Sequence, residues 1–252
     1  MKSQDIYSET YTIRAYEINP RGSLSIVSLC NIMQDAAGKH AHELGVAVDD
    51  MLAENYTWVL SRLAFKMDAW PGWRDDIEVG TWPSGIEKLF AFRDFRFTDQ
   101  KNHPLGSAVS AWVVIDTGTR RPVRVGKFLE KLKLSPHGSN GTDNLLKKLP
   151  VLETYDHEER FLVRYSDLDV NRHVNNVSYI EWAVESIPAV VQRESILAEL
   201  EINFLAETFF GEYALSRCLP QDETHTVFRH SIVSEHDGRE LARARTVWKK
   251  AE

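Results

Sequence analysis

Two kinds of apolar spacing alternate along this chain. Between Ser25 and Glu43, the residues Leu29, Met33, Ala36 and Ala37 recur at the interval that lines one face of a helix. Shorter runs follow at 58–67, 77–82, 90–98 and 108–115, alternating or densely apolar, and these read as strands. WPGW at 70–73 marks a turn or kink, and DQKN at 99–102 a hairpin turn. The same grammar then returns. Val177, Ile180, Val184 and Ile187 stand at helical spacing opposite polar Ser178, Glu181 and Glu185. Strand patterns follow at 199–204, 211–218, 226–235 and 242–249, with a turn at HDG, 236–238. One helix and a run of antiparallel strands, twice over, predicts an α+β fold in which each sheet wraps a helix.

The repetition also shows residue by residue. Residues 14–37 lie on 164–187 at an offset of about 150, so that Glu17 meets Asp167, Asn19 meets Asp169, and Val27-Ser28 meets Val177-Ser178. Residues 63–79 lie on 200–216 at an offset of 137, and 94–113 on the segment ending at Lys249 at about 136. The last block pairs Leu105 with Leu241, Ala108 with Ala244 and Trp112 with Trp248. Three blocks in one order point to a tandem duplication. Between the halves, SPHGSNGTDNLLKKLP (135–150) has the composition of a linker. The expected layout is a first domain over 1–134, a linker over 135–154 and a second domain over 155–252.

Composition narrows the function. The chain has 252 residues, 43% of them hydrophobic, which is ample for a real core, and its net charge of −7 argues against a nucleic-acid partner. No apolar run approaches the length of a membrane span, and the hydrophilic start MKSQDIYSET lacks the apolar stretch of a signal peptide. Cys30 and Cys218 have neither metal nor redox spacing, so reduced thiols in a cytoplasmic protein are expected. The chain has no GxSxG, P-loop, GxGxxG or HExxH motif, and His40 and His42 are wrongly spaced to share a helix face.

The chemistry gathers in YSDLDVNRHVNNVSYIEWAVESIP, 165–188. Asp167, Asp169, Asn171 and His173 alternate, as an extended segment needs if it is to aim every second side chain one way. Asn175 and Asn176 suit a helix start, whose free amides and positive dipole favour a polarised carbonyl oxygen. Turn formation and capping account for such residues singly. Four of them just ahead of an amphipathic helix point further, to a site.

DLDVNRHVNNVSYIEW (167–182) resembles the signature of the acyl-ACP thioesterases of plants and bacteria. In that family the segment opens the second of two tandem hot dog domains, which agrees with the duplication. Glu207 in NFLAETFF matches a family glutamate placed on a strand after the helix, and the TRR at 119–121 resembles a segment ending the first domain. The resemblance spans almost the whole chain. It implies Asp169, Asn171, His173 and Glu207 as the catalytic set, no cofactor or metal, and acyl carrier protein as partner. A monomer or a homodimer both fit. Plant members carry a Cys after the glutamate, where this chain has Thr208. A cysteine nucleophile is therefore not expected.

On this reading Asn171, His173 and amides of the second helix hold the carbonyl and water, Asp169 orients His173 or polarises the water, and Glu207 is the base. Its apolar neighbours Phe204, Leu205, Phe209 and Phe210 would keep water from it and sharpen its basicity. Direct attack by Asp169 stays open. In the first half Asn19, Arg21 and Ser23 stand where Asp169, Asn171 and His173 stand in the second. That half has lost the set and is expected to supply the acyl pocket, lined by Met33, Trp58, Leu60 and Phe65. Arg120, Arg121, Arg124 and Lys127, extended by Lys131 and Lys133, form the densest basic cluster, suited to an acidic carrier. An acyl-CoA thioesterase and a non-catalytic acyl-thioester sensor are the alternatives.

Overall fold

The computed structural model describes residues 6–125, 146–169 and 172–251. The chain divides into two units, Met1–Leu146 and Lys147–Glu252. The first contains β1 (Tyr7–Thr12), α1 (Ile26–Glu43), α2 (Val48–Ala53), β2 (Tyr56–Met67), β3 (Asp76–Glu87), β4 (Phe90–Thr98), β5 (Pro104–Asp116) and β6 (Arg121–Val123). Its strands run in the order β1-β3-β4-β5-β2, all antiparallel, with β6 paired to β5. The second contains β7 (His157–Leu162), α3 (Asn176–Glu185), α4 (Ala189–Glu194), β8 (Ser195–Phe204), β9 (Tyr213–Pro220), β10 (Val227–Ser234) and β11 (Glu240–Lys250). Its order is β7-β9-β10-β11-β8, again antiparallel throughout. Strand for strand this is the same topology. Each unit is a hot dog domain of α+β class, a helix laid on an antiparallel sheet.

The register of the duplication holds at the level of single hydrogen bonds. Trp112 donates its indole N–H to Ser110 Oγ at 2.8 Å, and Trp248 makes the matching bond to Thr246 Oγ1 at 3.0 Å. Asp68 and Ala69 both donate their backbone N–H to the Leu105 carbonyl, as Leu205 and Ala206 do to that of Leu241.

α1 starts where Ser25 accepts the Ser28 N–H at 3.1 Å, which satisfies one of the amides a helix start leaves free. It buries Leu29, Met33 and Ala36 against β1 and β3. Phe65, Ile77, Val79, Phe95 and Phe97 complete that core. Each such side chain contributes about 1.5–3 kcal/mol when fully buried. The second helix is broken. Pro188 falls where α1 has Gly38; lacking an N–H and clashing with the preceding turn, it stops α3 at Glu185 and opens α4. Freed carbonyls there are taken by side chains: Ser186 donates to the Ala183 carbonyl, Gln192 to that of Val184, and the Cys218 thiol to that of Ser186.

Several expectations need correction. α3 does not reach Ile187, and Ser178 is buried rather than on an outer polar face. β1 and β7 have no counterpart in the strand forecast, because as edge strands their mostly polar sequences YSETYT and HEERFL carry no apolar signal. α2 is likewise additional. Residues 135–145 of the expected linker lie outside the described residues. Leu146 packs with Ala64, Val109 and Ala111 in the first unit, and the Leu149 N–H donates to Asn203 Oδ1 in the second.

Candidate active site

The site grows from a turn that the chain makes twice. In the second unit the Arg164 N–H donates to Asp167 Oδ2 at 2.7 Å, the Asn175 N–H donates to the Asp167 carbonyl, and Asp169 and His173 close the turn through Asp169 N–H to His173 O at 2.8 Å. In the first unit the same bonds join Arg14 to Glu17, Ser25 to Glu17, and Asn19 to Ser23. Arg172 holds φ +64° at the place where the first turn has Gly22 at φ +79°. A left-handed residue is required there, and only glycine adopts it without cost.

This geometry replaces the extended, alternating segment. Tyr165–Asp167 is a 3-10 turn, and the Asp167 carboxylate points inward to the Arg164 guanidinium at 3.0 Å instead of joining Asp169 and His173. Asp169 accepts the backbone N–H of His173 at 3.0 Å, so its described bond to that residue fixes the turn and not the ring. Asn175 caps α3 by accepting the Val177 N–H at 3.0 Å, and the Ser178 N–H goes to the Asn175 carbonyl. The Asn176 N–H is left without a protein partner among the described residues. Asn171 lies outside the described residues.

Glu207 reaches this turn from the loop between β8 and β9. Its Oε1 stands 3.8 Å from His173 Nδ1, with the His173 and Glu207 side chains 47% and 55% exposed. Two expectations change here. The glutamate is on a loop, since β8 ends at Phe204, and its neighbours Leu205, Phe209 and Phe210 are themselves exposed, so no apolar enclosure surrounds it. The loop is nonetheless held at several points. Arg239 Nη2 donates to the Glu207 carbonyl at 3.0 Å, and the buried Thr208 N–H donates to the Tyr179 hydroxyl at 3.2 Å. The Glu212 carboxylate accepts from the Thr208 hydroxyl at 2.8 Å and from the Phe209 N–H at 3.2 Å. Burial pushes the Tyr179 phenol up to about 12, so it stays protonated. Glu212 and Arg239 carry no sign of this role in the sequence, and Tyr179 only its place inside the signature.

Three groups are ruled out as nucleophiles. Cys30 and Cys218 are buried, and burial pushes both thiols up to about 12; the Thr208 hydroxyl is enclosed and bonded to Glu212. Met33 on α1 and Leu60 and Phe65 on β2 lie in the core of the first unit; Trp58 on β2 is half-buried and donates its indole N–H to the Val46 carbonyl. Arg120, Arg121 and Arg124 are exposed, while Lys127, Lys131 and Lys133 lie outside the described residues.

Residues 4–131 match the family model described as the acyl-ACP thioesterase N-terminal domain, and residues 152–250 the corresponding C-terminal domain. The chain is 27% identical over 97% of its length to the chloroplastic oleoyl-acyl carrier protein thioesterase of Coriandrum sativum, covering 77% of that protein. To the chloroplastic palmitoyl-acyl carrier protein thioesterase of Gossypium hirsutum it is 30% identical over 97% of its length, covering 64% of that protein. The solved 12:0-ACP thioesterase from Umbellularia californica superposes with a TM-score of 0.86 at 26% identity, covering 98% of each chain. With both halves matched and the whole chain aligned, this chain belongs to the acyl-ACP thioesterase family.

Proposed function

We propose that the chain hydrolyses the thioester of a fatty acyl-acyl carrier protein, with Glu207 as general base and His173 as its partner at the reacting carbonyl. The observation that carries this is the approach of His173 Nδ1 and Glu207 Oε1 to 3.8 Å on a turn and a loop that are otherwise tied down. That distance exceeds a hydrogen bond by under 1 Å, a gap that closing on substrate removes. Glu207 takes a proton from water as the oxygen bonds to the acyl carbon. His173 and the Asn176 N–H donate to the oxyanion, a role in which Asn171 joins them. The C–S bond then breaks and the proton passes from Glu207 to the departing pantetheine sulfur. Asp169 is the weaker candidate for attack, because one of its oxygens already holds the His173 N–H.

Met33, Trp58, Leu60 and Phe65 are proposed to line the acyl pocket, and Arg120, Arg121 and Arg124 to meet the acidic carrier. One chain carries both units, so a monomer suffices. Two buried free thiols fit a reducing, cytoplasmic setting. The test is free-thiol release from acyl-ACPs and matched acyl-CoAs. Carrier esters should be preferred, and Glu207→Gln or His173→Ala in folded protein should each lower kcat by about a hundredfold or more. Wild-type turnover in Glu207→Gln moves the base to Asp169. Tight acyl-thioester binding without hydrolysis makes the protein a sensor.

A further inference from the structure

The helix-facing side of the first unit's sheet is apolar along most of its length, with Phe65 on β2, Ile77 and Val79 on β3, Phe95 on β4 and Ala108 on β5. Arg93 interrupts it in the middle of β4, and only 8% of the residue is exposed. Its Nη1 donates to His40 Nδ1 at 3.0 Å and to Thr81 Oγ1 at 3.2 Å. A guanidinium has no acceptor, so His40 Nδ1 must accept here, and burial beside that cation keeps the imidazole neutral. Neither partner brings negative charge. Asp94, next along the strand, alternates to the other face, where its Oδ1 accepts from Ser84.

Arg93 thus lies buried without a carboxylate in ion-pair reach among the described residues, and its Nε–H and both Nη2–H groups have no protein acceptor there. This edge is also not sealed, since the one fully enclosed side-chain nitrogen or oxygen lacking a partner among the described residues is His230 Nδ1. The fold does not demand a cation at this place. Arg93 is paired with Ser110, and Phe228 with Thr246, so the second unit has fully buried Phe228 at the matching position. Burying an uncompensated charge is costly, and it persists where something supplies the missing partner.

We propose that the Nε–Nη2 edge of Arg93 is a subsite for a ligand carboxylate inside the first unit. That edge presents two parallel N–H donors, the geometry a carboxylate matches with both oxygens. The carboxylate has two sources: the far end of an acyl chain that is itself acidic, or a free fatty acid. The first rests on the thioesterase reading above, and the second does not.

The experiment uses full-length wild type, Arg93→Met and Arg93→Lys. Calorimetry reads binding of dodecanoate, the matched dicarboxylate and dodecanol. Thiol release reads turnover of matched carrier thioesters ending in methyl or in carboxylate, with and without added dodecanoate. Arg93→Met should weaken carboxylate binding by about tenfold or more and leave dodecanol unchanged. Loss of turnover on carboxylate-ended chains assigns the chain end, and relief of dodecanoate inhibition alone assigns the free acid. Equal carboxylate binding and equal turnover in wild type and Arg93→Met overturn the subsite while leaving the thioesterase reading intact. Arg93-dependent binding without hydrolysis of any thioester does the reverse. Should Arg93→Met not fold, Arg93→Lys decides, because it keeps the charge and loses the fork; an unchanged carboxylate response there also overturns the proposal.

Discussion

Replacing Tyr179 by Phe tests whether the loop bonds set catalysis. The hydroxyl receives the Thr208 N–H at 3.2 Å, and Thr208 is fully buried. Without the hydroxyl, that amide is left with no acceptor in a place water does not reach, which costs about 1–3 kcal/mol. No cavity contribution adds to this, because the ring keeps its packing against Trp182 and Phe204, at centroid distances of 5.2 and 6.0 Å. The freed amide directly follows Glu207, so the stability lost comes from the segment that presents the base. Urea unfolding should show a decrease of about 1–3 kcal/mol. Thiol release from acyl-ACP should show kcat falling by about tenfold with KM little changed, since small misplacements of a reacting group are costly. Thr208→Ser keeps the amide bonded to the Tyr179 hydroxyl and the hydroxyl bonded to Glu212, and should keep wild-type kcat. If Tyr179→Phe loses stability but keeps full kcat, the tether serves the fold alone and the reasoning about the loop is wrong.

Arg172→Gly should leave the melting temperature unchanged or raise it, because it relieves a left-handed strain of about 1–2 kcal/mol at a position where the first unit already has Gly22; a clear fall in a thermal scan contradicts that account. His230 is held at about 3 by burial, against 6.5 for an ordinary histidine. The unfolded chain therefore binds a proton below about 6.5 that the folded chain refuses until about 3, and stability drops as pH falls through that window, by about 1.4 kcal/mol per pH unit. His230→Phe should flatten the slope of urea-derived stability against pH by that amount, and equal slopes refute it.

Much of this architecture is legible in the order of residues alone. Caps and apolar spacing place α1 within a residue, because a helix is decided by groups one turn apart, and the turn at Asp99–Asn102 follows from its residue types. The duplication and the signature are equally readable. Both are properties of order along the chain.

Other features belong to the tertiary structure. Nothing local distinguishes Glu207 on a loop from a glutamate on a strand; β8 ends at Phe204, its last residue paired with β11, opposite Ala242, and the next two amides, of Leu205 and Ala206, share the Leu241 carbonyl. Asp167 and Asp169 look alike in the sequence, yet one closes on Arg164 inside the turn and the other bonds the His173 amide. Arg93 reads as an ordinary charge on an alternating strand until sheet pairing and α1 enclose it between His40 and Thr81. The sequence by itself determined α1, the apolar strands, their repetition and the family, since these depend on neighbours a few residues apart. Which of those residues meet, and which are shut away from water, was decided only by strand pairing between distant segments, because burial and proximity arise there and not along the chain.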